Sequence, residues 1–135
     1  MALGETIAGQ LKDGSVVILQ GGLGSGKTCL TKGIARGLGI DEPVTSPTYT
    51  IVCEYKGQGG LFDFYHIDAY RLSCEDDFEG LGLAEVIGIK GVFVIEWGEK
   101  VAGALPKDAI KINIEIAPPG SDSRKIQIYG LELDL

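Results

Sequence analysis

The run Val16-Val17-Ile18-Leu19 leads, through Gln20, into Gly21-Gly22-Leu23-Gly24-Ser25-Gly26-Lys27-Thr28, and no other stretch of the chain restricts its fold so strongly. A continuous β-branched and aliphatic run reads as a buried strand. The segment after it satisfies G-x-x-x-x-G-K-[ST] without deviation. Leu30, Ile34 and Leu38 then recur at helical spacing, Lys32 and Arg36 share another face, and Gly37 and Gly39 supply a stop. Strand, glycine loop and helix in this order are the setting in which the motif cradles phosphate. Glycines let the backbone curl so that several N–H groups point inward, and the helix N-terminus adds a partial positive charge. Lys27 is expected at the β/γ-phosphates and Thr28 on Mg²⁺, a cation that demands hard oxygen ligands and keeps several waters. The expected ligands are therefore ATP and Mg²⁺.

Around this unit the pattern predicts an α/β domain, a P-loop NTPase-like three-layer arrangement with a mixed parallel and antiparallel sheet. Glu5–Leu11 is a candidate helix, and Lys12-Asp13-Gly14-Ser15 a turn. Pro43 to Pro47 make a loop, since each proline pushes the residue before it toward extended geometry. Tyr49–Tyr55 and Leu61–Ile67 flank the glycine-rich Lys56–Gly60 and predict a β-hairpin. Ser73–Gly80 is acidic and begins a helix, and Val92–Ile95 is another apolar strand. Ile110–Ala117 and Lys125–Tyr129 alternate apolar with polar residues around Pro118–Ser123, a second hairpin. No internal repeat interrupts residues 1–135, which are read as one domain.

A phosphate loop of this type needs a metal-side carboxylate at the end of another buried strand, and Glu96, after Val92–Ile95, has that position. Side chains alternate along a strand, so Val92, Val94 and Glu96 share one face while Phe93, Ile95 and Trp97 share the other. Glu96 and Trp97 are thus expected to serve different surroundings, with Trp97 either packing or site residue. By the same alternation His66 and Asp68 share a face at the end of the Leu61–Ile67 strand. Asp68 is a candidate for orienting the attacking water or a metal-bound water, and His66 for its hydrogen-bond partner. Thr45-Ser46-Pro47-Thr48 gathers three hydroxyls after the helix, either as a switch that senses the γ-phosphate or as a plain turn.

Composition narrows the partners. The net charge of −7 opposes direct capture of nucleic acid, because Lys and Arg neutralising phosphates supply most non-specific affinity. No apolar run approaches the ~18 residues of a bilayer span. Met1–Glu5 lacks the basic flank and apolar stretch of a secretory signal, so the cytoplasm is expected. Cys29, Cys53 and Cys74 form no C-x-x-C pair and are read as reduced packing residues.

The chain resembles the TsaE (YjeE) family, the small ATPase of bacterial threonylcarbamoyl-adenosine tRNA modification. The resemblance rests on the phosphate loop together with Val44-Thr45-Ser46-Pro47-Thr48-Tyr49-Thr50, Glu54-Tyr55, His66-Ile67-Asp68-Ala69-Tyr70-Arg71-Leu72, Gly80-Leu81-Gly82-Leu83 and Ile95-Glu96-Trp97. It implies an ATPase that associates with a TsaB–TsaD pair, which transfers threonylcarbamoyl to adenosine 37 of tRNA. On these positions it implies catalytic roles for Lys27, Asp68 and Glu96, and metal contacts from Thr28 and Glu96. The nucleotide would contact Gly22, Leu23, Gly24, Ser25, Gly26, Lys27, Thr28 and Cys29, with Thr45 in the switch-like loop. Gly22 replaces the family's usual acidic residue, and Cys29 a common second threonine.

Two other readings share the motif. A small P-loop kinase would need more arginine than Arg36, Arg71 and Arg124 to clamp a transferring phosphoryl group. A nucleotide-dependent binding switch without hydrolysis differs only in turnover. A guanine-specific switch is disfavoured, since Asn113, the single asparagine, lies outside any N-K-x-D pattern, and Asp77-Phe78-Glu79-Gly80 matches D-x-x-G without following a strand.

Overall fold

The computed structural model describes residues 2–22, 26–40, 52–57, 62–70, 72, 75–116, 119–120 and 123–131. The predicted strand and helix appear as β1 (Val16–Gly21) and α2 (Lys27–Gly37), preceded by α1 (Ala2–Ala8). Then come β2 (Val52–Tyr55), β3 (Phe64–Asp68), the short α3 (Glu75–Glu79), β4 (Val92–Glu96), a 3₁₀ helix (Gly98–Ala104), β5 (Ile110–Ile116) and β6 (Arg124–Tyr129). The six strands form one sheet in the order β2-β3-β4-β1-β5-β6. β3, β4, β1 and β5 run parallel, whereas β2 pairs antiparallel with β3 and β6 with β5. The strands of both predicted hairpins therefore pair antiparallel, and each pair closes one edge of the parallel centre. The D-x-x-G segment falls on α3 and the residue after it, with Phe78 buried, which removes it as a switch motif.

Each face of the sheet carries its own core. Val17, Leu19, Val92, Val94, Phe64 and Ile112 pack with Ile7 of α1 and with Leu30 and Ile34 of α2. Val16, Ile18, Tyr65, Ile67, Phe93 and Ile95 pack on the other face with Phe78 and Val101. The period-two assignment for Val92 and Val94 against Phe93 and Ile95 holds. Lys32 and Arg36 project from the exposed side of α2, and Gly39 ends the helix in the left-handed region (φ 83), which a residue without Cβ adopts at little cost. The helices α1 and α2 touch backbone to backbone. A Cβ added to Gly4 would stand 2.7 Å from the Gly33 carbonyl carbon and the Ile34 nitrogen.

Cys53 packs partly buried against the first core, as a packing thiol should. Cys29 does not: it is exposed, on the side of α2 that carries Lys32 and Arg36. Cys74 lies outside the described residues. Among the described residues no helix is long and apolar enough to cross a membrane.

Candidate functional site

Parallel strands end together, so the carboxyl ends of β1, β3 and β4 line one rim of the sheet, where open α/β sheets place their ligands. Leu19 stands in register with Glu96, and Glu96 with Asp68. The ladder extends one step further: the Trp97 N–H donates to the Leu19 carbonyl at 3.0 Å and the Ala69 N–H to the Glu96 carbonyl at 2.9 Å. Three chain segments are thus fixed to one another at the rim.

Gly26 takes a left-handed backbone (φ 107) and starts α2 with no side-chain cap, so the helix's first N–H groups meet no side chain of that residue. Lys27, only 5% exposed, folds back and donates from Nζ to the carbonyls of Gly21 at 2.6 Å and Gly22 at 2.9 Å. Its ammonium also lies over the Trp97 ring, 4.1 Å from the centroid. Burial pushes the Lys27 pKa below its ordinary 10.5, and the carboxylates of Glu96, Glu99 and Asp68 partly offset that loss. This is a cation held among acids and short of water, chemistry suited to a phosphate chain.

Beside it, the Thr28 hydroxyl donates to Glu96, 3.2 Å from Oε1 and 3.5 Å from Oε2. Glu96 is 4% exposed, and its Oε2 is also hydrogen-bonded to Nε2 of the fully buried His66. This corrects the expected pairing of His66 with Asp68. Val94 opposes His66 in the register of β3 and β4, and Glu96 follows on the same face, so the longer glutamate reaches back across the strands. Asp68 instead accepts the Tyr70 N–H at 3.0 Å, a local turn of the kind short carboxylates make with their own chain.

The expectation for Trp97 holds for its face and is corrected only for its reach. It packs partly buried against the core of Phe93 and Ile95, the face that alternation assigns it, while its backbone turns left-handed (φ 61, ψ 28) where the strand ends. For a residue with a Cβ that conformation costs about 1–2 kcal/mol. The indole lies over Lys27 and against Tyr70, whose ring is 5.0 Å away, so Trp97 reaches from its own core to the lysine that Glu96 also neighbours. Lys100 extends the row from the 3₁₀ helix, over the Tyr70 ring at 5.1 Å. Sequence carried no signal for this, since tryptophan has no bias toward left-handed backbone.

Of the residues singled out in the sequence, the fold brings Lys27, Thr28 and Glu96 together, with Gly22 and Gly26 bounding the loop, Asp68 in register beside Glu96, and Cys29 exposed one residue beyond Thr28. Leu23, Gly24, Ser25 and Thr45 lie outside the described residues. Among the described residues no three His, Cys, Asp or Glu side chains cluster as a metal cage. A hydroxyl and a carboxylate oxygen in contact nevertheless fit Mg²⁺, which takes few protein oxygens and retains water.

A strand, a glycine-rich loop and a helix N-terminus facing a carboxylate on the adjacent parallel strand define an α/β domain of P-loop NTPase-like class. The family model described as threonylcarbamoyl adenosine biosynthesis protein TsaE matches residues 1–126. The tRNA threonylcarbamoyladenosine biosynthesis protein TsaE of Treponema pallidum is 47% identical over 117 residues, covering 86% of this chain and 84% of its own. The protein of the same name from Bacillus subtilis is 43% identical, covering 93% and 75%. A solved structure titled as Bacillus YdiB superposes with a TM-score of 0.72 at 38% identity, over 93% of this chain and 74% of that one. The chain belongs to the TsaE family.

Proposed function

We propose that this chain binds ATP with Mg²⁺ and hydrolyses it in the cytoplasm, supporting threonylcarbamoyl transfer to adenosine 37 of tRNA by acting on a complex of the TsaB–TsaD type. The observation that carries the reading is the convergence of Lys27, Thr28 and Glu96 at one rim of the sheet. Lys27 exchanges its loop carbonyls for phosphate oxygens, which meet the same ammonium with full negative charge. Thr28 and Glu96 turn their oxygens to the metal. Bound Mg²⁺ neutralises charge on the phosphates. Asp68, beside Glu96 in register, orients water, and the loop of Thr45 responds to which nucleotide is present. The net charge of −7 leaves tRNA to the partner complex.

The test is phosphate release by the purified chain, alone and with the partner pair, beside a Lys27→Ala control. Mg²⁺-dependent release that the control loses and the partners accelerate supports the reading. Transfer of the phosphoryl group to a small acceptor instead would identify a kinase. Tight ATP binding with no release under any condition would identify a binding switch.

A further inference from the structure

His66 is the only histidine in the chain, and none of its surface reaches solvent. Its two ring nitrogens have unlike surroundings. Nε2 is hydrogen-bonded to Glu96 Oε2, whereas Nδ1 is buried without a hydrogen-bond partner among the described residues. On the same face of the sheet lie Phe64, Val92 and Val94, and Cys53 stands opposite His66 in the register of β2 and β3. A buried polar side chain with one nitrogen unsatisfied costs stability, so its place in the fold calls for a reason. A carboxylate can only accept, so the ring proton in the contact belongs to Nε2.

We infer that His66 is a positioning residue for Glu96. This rests on the proposed role of Glu96 as metal-side acid. The geometry divides the carboxylate: His66 holds Oε2, and Oε1, the nearer oxygen to the Thr28 hydroxyl at 3.2 Å, is left facing the start of α2. Without that hold, a glutamate side chain at a strand end has three rotatable bonds and several rotamers, few of which bring an oxygen to Thr28. The arrangement is the one by which hydrogen bonds behind a ligand fix its direction, and their loss typically weakens metal binding by about 10–100-fold. The strand order makes it possible, since β3 and β4 are neighbours and His66 and Glu96 share a face. The unsatisfied Nδ1 is the trace of that role: a ring placed only for packing would be better served by phenylalanine.

Two measurements test it. The first needs neither ligand nor activity: with a single histidine, the long-range proton–nitrogen NMR spectrum of the metal-free chain contains one imidazole. We expect a proton on Nε2, with its signal displaced in Glu96→Gln. A proton on Nδ1 alone, or a spectrum indifferent to Glu96→Gln, overturns the inference. The second compares His66→Phe, which keeps the ring and loses the donor, with His66→Gln, whose amide restores a donor at similar reach. His66→Phe should raise half-saturating Mg²⁺ in nucleotide binding at least about tenfold while ATP affinity in EDTA stays within about twofold, and His66→Gln should recover most of the loss. Equal behaviour of the two folded variants overturns it. If His66→Phe does not fold, the spectrum of the unaltered chain decides. A wild-type chain with no Mg²⁺-dependent ATP binding would sink the proposed function, and the imidazole spectrum would still judge the His66–Glu96 contact.

Discussion

Gly98 offers the sharpest test of how the fold holds the site, because the residue follows Glu96 and Trp97 and lies directly on β1. A Cβ added there would stand 2.6 Å from Cγ2 of Ile18 and 3.3 Å from its Cβ and Cγ1. Carbon atoms rest about 3.5–4.0 Å apart, so something must give by about 1 Å. Ile18 cannot turn aside: it is buried in the middle of the central strand among Val16, Phe93 and Ile95, and a β-branched side chain has few rotamers. Overpacking of this kind costs about 1–3 kcal/mol. For a urea slope of ~2 kcal/mol/M, Gly98→Ala should lower the unfolding midpoint by roughly 0.5–1.5 M. The relief available to the chain is to move the end of β4 away from β1, and that carries Glu96 and Trp97 with it. A displacement near 1 Å of positioned groups lowers turnover by on the order of a hundredfold. The control is a double-mutant cycle. Ile18→Ala alone should cost about 2–5 kcal/mol through its cavity. In the double mutant the new methyl occupies part of that cavity, so the two costs should fall short of their sum by at least ~1 kcal/mol, with some turnover regained. Denaturation curves that add within ~0.5 kcal/mol would show that Gly98 and Ile18 do not compete for one space.

Lys27→Ala removes the buried cation at the loop, and calorimetry should show ATP affinity lower by about tenfold to a hundredfold; unchanged affinity would exclude Lys27 from the site. Burial lowers the Lys27 pKa below 10.5, so the penalty for keeping it charged is fully present at neutral pH and is lifted as pH rises from the lowered value toward 10.5. Phosphates favour the ammonium, so ATP binding at alkaline pH below 10.5 should take up a proton from the buffer and binding at neutral pH should not, as calorimetry in buffers of different ionisation enthalpy would show. Glu96→Gln should weaken Mg²⁺ dependence and turnover together, whereas Asp68→Asn should spare ATP binding and depress hydrolysis; wild-type turnover by either across a Mg²⁺ titration would overturn its role. The chain alone should release phosphate slowly, and its partners should accelerate it, by factors that reach about 10³–10⁵ in related NTPases; fast solitary turnover with association blind to ATP and ADP would refute this.

What the sequence made legible was local. The glycine loop, the strand before it and the helix after it are set by neighbours within a few residues, and period two correctly separated Val92 and Val94 from Phe93 and Ile95. Periodicity also held the answer on Cys29, which stands three residues before Lys32 and seven before Arg36, on the exposed side of α2; the general tendency of cysteine toward burial pointed the other way. The partner of His66 escaped the reading for a different reason. The partner of His66 lies 30 positions away and that of Thr28 lies 68, so both contacts depend on β4 lying between β3 and β1, an order that no local pattern encodes. Alternation placed Trp97 with Phe93 and Ile95, but it does not encode the left-handed turn at the strand end or the indole's place over Lys27. Functional side chains gather at strand ends because only there can residues on neighbouring strands point past the sheet at one ligand. The His66–Glu96 and Thr28–Glu96 contacts are therefore set by strand order, which period two does not carry.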